Sequence, residues 1–103
     1  MSGEQNGKPV RYRIDMSGLV AAELNDLKVQ ADAVSDQTIK RALTIIVGRL
    51  QADPVNLGEL IGEYKVLKLK LHAAVVPPLF VRFAINAEAK IVIIMKIGRL
   101  TKS

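Results

Sequence analysis

From Val10 to Met16 apolar and polar residues alternate, with Val10, Tyr12, Ile14 and Met16 on one side and Arg11, Arg13 and Asp15 on the other. A period of two predicts a half-buried strand. The period then lengthens. Val20, Leu24, Leu27 and Ala31 recur at helical spacing while Glu23, Asp26 and Lys28 point elsewhere, so residues 18–30 read as an amphipathic helix capped by Ser17. Asp32 to Ser35 breaks the pattern, and Ser35 or Asp36 offers a second N-cap. Ile39, Leu43, Ile46, Val47 and Leu50 then form the stripe of a second helix, with Lys40, Arg41 and Arg49 off it. Asp53-Pro54 ends it, because the residue before proline is held out of the helical region. The pair reads as a helical hairpin.

Asn56 to Gly62, with Gly58 and Gly62, reads as a turn-rich connector. Three strand-like runs follow. In Tyr64 to His72, Leu67, Leu69 and Leu71 oppose Lys68, Lys70 and His72. In Leu79 to Asn86, Leu79, Val81, Phe83 and Ile85 oppose Phe80, Arg82, Ala84 and Asn86. In Lys90 to Ile97, Ile91, Ile93, Met95 and Ile97 oppose Lys90, Val92, Ile94 and Lys96. Asn86 to Ala89 is short enough for a hairpin loop, while Ala73 to Pro78 reads as a longer, proline-stiffened connection in which one bond could be cis. The expected fold is α+β and two-layered: an N-terminal strand and a helical hairpin packed on an antiparallel sheet, in the order β-α-α-β-β-β. Residues 1–9 read as a disordered lead-in to a single domain over residues 10–103.

Composition narrows the chemistry. The chain has 103 residues, half of them hydrophobic, enough for one core. It has no cysteine and one histidine, which excludes disulfide frameworks, thiolate sites and any centre needing two imidazoles. No phosphate-loop, dinucleotide, zinc or calcium spacing is present, so no cofactor and no metal is expected. The longest uncharged apolar stretch, Ala73 to Val81, is cut by Pro77-Pro78 and is far shorter than the roughly 20 residues a membrane span needs. With no apolar leader either, a cytoplasmic protein without membrane partners is expected.

The net charge of +5 is unevenly spread. Up to Asp53 the charges balance; from Tyr64 onward eight basic residues face Glu88 alone. By the strand parities, Arg11, Arg13, Lys68, Lys70, Arg82 and Lys96 are expected to converge on the sheet face the helices leave open. Such a cluster could merely solubilise that face, but one-signed charge repels itself unless an anionic partner relieves it. Other features carry less. His72 reads as a solvent-facing or loop-anchoring imidazole, Tyr12 and Tyr64 as core or rim, and Glu59 and Glu63 as residues flanking a turn.

The strand, the helical hairpin, the segment Leu50 to Lys65 (LQADPVNLGELIGEYK), then VLKLKL from Val66, FVRFAIN from Phe80 and KIVIIMKIGR from Lys90 resemble the RelE/ParE toxin superfamily of bacterial toxin-antitoxin systems. The likeness runs from Val10 to Arg99. It implies a RelE/ParE-like fold and the role of toxin, either cleaving mRNA on the ribosome as RelE-like members do or inhibiting DNA gyrase as ParE-like members do; the alternative is a degenerate, non-toxic member that serves as a binding module. A Lys-x-Lys pair of the RelE-like pattern matches Lys68 and Lys70. An arginine usually preceded by Gly-Tyr matches Arg82, here preceded by Phe80-Val81, and a basic residue after the last strand's glycine matches Arg99. A tyrosine expected near the C-terminus has no counterpart in Thr101-Lys102-Ser103.

The resemblance thus implies Lys68, Lys70, Arg82 and Arg99 as catalytic residues, and Arg11, Arg13 and Lys96 on the charged face would contact RNA. Cleaving RNA through its own 2′-hydroxyl needs that group deprotonated, charge at phosphorus stabilised and the departing 5′-oxygen protonated. Guanidinium groups suit the phosphate because they bind its oxygens in a bidentate fork. Lysines could supply charge, or a base where like-charged neighbours favour the neutral amine. The implied partners are a cognate acidic antitoxin, covering the surface with a helix or strand, and RNA with the ribosome, or DNA gyrase.

Overall fold

The computed structural model describes residues 11–33 and 37–100. The expected lead-in, the start of the first strand at Val10, the second N-cap at Ser35 or Asp36 and the C-terminal tripeptide lie outside the described residues. The elements are β1 (Arg13–Met16), α1 (Gly18–Ala33), α2 (Gln37–Ala52), a 3-10 turn (Pro54–Asn56), β2 (Glu59–Tyr64), β3 (Leu69–Val76), β4 (Leu79–Asn86) and β5 (Ile91–Arg99). They build the expected α+β, two-layer fold, with one strand more than the sequence pattern gave. The five strands lie in the order β1-β5-β4-β3-β2.

β1 pairs parallel with β5, Arg13 opposite Ile91 and Met16 opposite Ile94, so the sheet is mixed rather than wholly antiparallel. A parallel neighbour requires a long crossover, and everything from α1 to β4 supplies it. The remaining neighbours are antiparallel hairpins.

Both helices pack on one face of this sheet. The Ser17 hydroxyl accepts from the Val20 N–H at 3.2 Å, the expected cap of α1. Val20, Leu27 and Ala31 of α1, and Ile39, Ala42, Leu43, Ile46 and Leu50 of α2, meet Val81, Phe83, Ile85, Val92, Ile94 and Ile97 of the sheet. Full burial of each large side chain contributes about 1.5–3 kcal/mol. α2 stops at Ala52, one residue before Asp53-Pro54, as the proline rule predicts.

The segment read as a connector is half strand. Its glycines are close-approach positions: a Cβ on Gly58, whose φ is +71°, would stand 2.2 Å from the Ala73 carbonyl oxygen, and one on Gly62 would touch Leu71. Irregular pairing between Leu60 and Gly62 hides the period-two signal of β2. The expected strand Tyr64 to His72 is instead a turn over residues 65–68 followed by β3, and the expected long connection Ala73 to Pro78 is mostly strand closed by a tight Pro77-Pro78 turn, whose bond is cis.

Candidate functional site on the helix-free face

Which side chains reach the uncovered face follows from register. Lys70 pairs with Ile85 and His72 with Phe83, both core residues, so Lys70 and His72 belong to the helix side and Leu69, Leu71, Ala73 and Val75 to the open side. The parity of β3 is therefore the reverse of the expectation. Alternation shows that two faces differ, not which one a helix will cover.

β5 changes face midway. Phe83 pairs with Ile94 but Arg82 with Lys96, so Met95 is an extra residue. Before the bulge Val92 and Ile94 are buried and Ile91 and Ile93 take the open side; beyond it Ile97 returns to the core. The expected grouping of Ile91, Ile93, Met95 and Ile97 on one face is thus corrected.

Of the seven basic residues singled out from the sequence, the structure brings only Arg82 and Lys96 side by side. Lys68 sits in the turn before β3, its ammonium 3.0 Å from the Glu88 carboxylate. Lys70 is exposed on the helix side, and Arg99, opposite Leu79, lies on that same side at the end of β5. Arg11 reaches the Gln51 side chain of α2 at 3.4 Å. Arg13 is on the open side but at the far edge strand, bound to Asp15 at 3.1 Å. Lys96 stands opposite Arg82, its ammonium 3.7 Å from Glu23 of α1. Arg82 alone occupies the middle of the open face and makes no ion pair among the described residues.

The surroundings of Arg82 are apolar. On one side Glu59, Ala73, Val75, Phe80 and Arg82 border a shallow depression of about 380 Å³. On the other Ile61, Leu71, Arg82, Met95 and Lys96 border a second of about 300 Å³. Ile61 and Met95 are the two bulge residues, and both are more than half exposed. Register also runs Glu59, Ala73, Arg82 and Lys96 across four adjacent strands, which puts a carboxylate on the same face as the arginine.

Sequence reasoning missed Glu59, Ile61 and Met95 as members of this surface. The signal for Glu59 was available only once β2 was recognised as a strand.

His72 is buried rather than solvent-facing. Its Nδ1–H donates to the Leu57 carbonyl at 3.3 Å and its ring lies 5.4 Å from that of Phe83, so it anchors the loop that leads into β2. That matches the loop-anchoring role. Tyr12 packs against the core beneath the Lys90 ammonium, and Tyr64 is at the exposed rim. Among the described residues no cluster of His, Asp or Glu could hold a metal ion, and no helix is long and apolar enough to cross a membrane.

No protein-family model matches the sequence, and comparison with curated proteins finds no match either. Among solved structures, the chain is similar to one from the archaeal RelE–RelB complex of Pyrococcus horikoshii OT3, with 18% identity and a TM-score of 0.57, covering 89% of this chain and 98% of that one. At that identity the similarity is one of architecture. The chain has the RelE-like fold that its sequence motifs pointed to.

Proposed function

We propose that the chain is the toxin of a type II toxin-antitoxin pair, acting in the cytoplasm through the helix-free face around Arg82. The observation that carries this reading is an unpaired guanidinium in the middle of the uncovered sheet of a RelE-like fold. In the RelE-like form of the proposal, Arg82 holds the scissile phosphate of mRNA on the ribosome in a bidentate grip. Lys96 joins it when the long, partly exposed contact with Glu23 is exchanged for the phosphate. Lys68, Lys70, Arg99, Arg11 and Arg13 would serve as outlying contacts with RNA, since the turn, the helix side and the far edge keep them from the centre of the face. Much of the catalytic geometry would then come from the ribosome.

The apolar lining of the face favours a second form, in which the chain binds a protein and cuts nothing: a ParE-like inhibitor of gyrase, or a binding module without toxicity. Inducible expression, with and without the product of an adjacent acidic reading frame, tests the proposal. Growth arrest with new transcript ends on translated mRNA is expected, abolished by Arg82→Ala and retained by Lys70→Ala. Unchanged growth with intact transcripts refutes the toxin. Growth arrest with intact transcripts and loss of supercoiling by purified gyrase selects the ParE-like form.

A further inference from the structure

The face around Arg82 is built in three rows. Val75 lies opposite Phe80, Ala73 opposite Arg82 and Leu71 opposite Ala84, each row two residues from the next along β3 and β4. At 3.2–3.4 Å per residue the rows together span about 13 Å. The outer rows border the two depressions and the middle row carries the guanidinium. An extended peptide displays side chains on one face at the same interval of two.

We propose that the two depressions and Arg82 form a single docking site for an extended segment of an acidic partner chain. Its sequence would run apolar-x-acidic-x-apolar, with the carboxylate on Arg82 and one apolar side chain in each depression. The inference rests on the toxin-antitoxin reading only for the source of the segment, which would be the antitoxin.

Charge complementarity favours this occupant over a nucleic acid. A polyanion gains affinity from several cations tracking its backbone. Here Lys68, in the turn before β3, is tied to Glu88 and Lys96 is near Glu23, so the open face offers no track of free cations. At the middle of this face one cation without an ion pair among the described residues, flanked by apolar side chains, matches one carboxylate flanked by the same. The bulges serve that match, because the extra residues Ile61 and Met95 both border the second depression. Phe80 borders the first depression, and the Phe83 and His72 rings that border the second are buried, which leaves little aromatic surface for base stacking.

The test uses a fluorescein-labelled synthetic peptide, Ser-Leu-Ser-Glu-Ser-Leu-Ser, read by fluorescence anisotropy beside versions with Gln for Glu or Ser for both Leu, and beside a labelled single-stranded RNA. The Glu peptide is expected to bind about tenfold tighter than the Gln peptide, as a charge-assisted bidentate contact requires. Arg82→Gln should erase that difference, Ile61→Ser and Met95→Ser should weaken both peptides, and Glu59→Gln should strengthen the Glu peptide. All four positions are exposed, so the variants are expected to fold, which circular dichroism checks. Equal binding of Glu and Gln peptides, no binding up to millimolar concentration, or an Arg82-dependent RNA complex without peptide binding each overturn the proposal. Growth arrest by the intact chain without peptide binding overturns this site and leaves the toxin reading standing. Peptide binding without growth arrest does the reverse.

Discussion

Replacing Gly58 with alanine tests how the edge strand is held, and through it the whole open face. The residue has φ of +71°, a conformation that costs an L side chain about 1–2 kcal/mol. Its new Cβ would lie 2.2 Å from the Ala73 carbonyl oxygen and 2.7 Å from the Ala74 Cβ. Neither neighbour can swing aside, since one is strand backbone and the other is a buried stub. The chain entering β2 must therefore shift, loosening the Glu59–Ala73 pairing and the contact of His72 with the Leu57 carbonyl. A buried polar group left unpaired costs about 1–3 kcal/mol. Together these give roughly 2–5 kcal/mol, a large part of the 5–15 kcal/mol typical of a domain. Urea denaturation followed by circular dichroism measures it, with Gly48→Ala as the control. Gly48 is in α2 with nothing within 4 Å of its ideal Cβ, so alanine there should stabilise by about 0.5–1 kcal/mol. Hydrogen exchange should show amide protection lost in β2 and kept in β4. A Gly58→Ala cost below about 1 kcal/mol, or loss of protection throughout the sheet, would refute the reasoning.

The other expectations are simpler. Phe83→Ala removes a fully buried ring from the centre of the core and its contact with His72, and should cost about 3–5 kcal/mol by denaturant midpoint with an unchanged slope. Ser17→Ala deletes the acceptor for the Val20 N–H and should cost about 1 kcal/mol, while Ser17→Asp should retain most of the stability. Lys68→Ala breaks an exposed ion pair with Glu88 between two hairpin turns; a thermal melt should show less than about 1 kcal/mol lost, and added salt should shrink the difference further.

Legibility from sequence followed physical rules element by element. α2 was readable because Ile39, Leu43, Ile46 and Leu50 keep one period for its whole length and Pro54 gives it a hard stop. β4 was readable for the matching reason: Leu79, Val81, Phe83 and Ile85 alternate without interruption and all are buried. The reading failed wherever a bulge broke the period. At Met95 one extra residue exchanges the faces of β5, and at Ile61 irregular pairing made an edge strand look like a loop. The lysines of β3 were misplaced for a different reason: its pairing with β4 is regular, but alternation alone does not say which of its faces the helices cover. Lys68 and Lys70 alternate with leucines that face the open side, and the apolar residues there outnumber the charged ones. A sheet of five strands with two helices on one side still has hydrophobic side chains on the other, and such a surface calls for a partner more than for a solvent. The functional signal in this chain is therefore not the number of its cations but the place of one of them, an arginine in the middle of the open face with no ion pair among the described residues. Arg82 was legible from parity, since β4 alternates regularly along its length, and from the resemblance, whose arginine it matches. Glu59, Ile61 and Met95, which give that arginine its setting, come from the two strands whose pattern the pairing irregularities conceal.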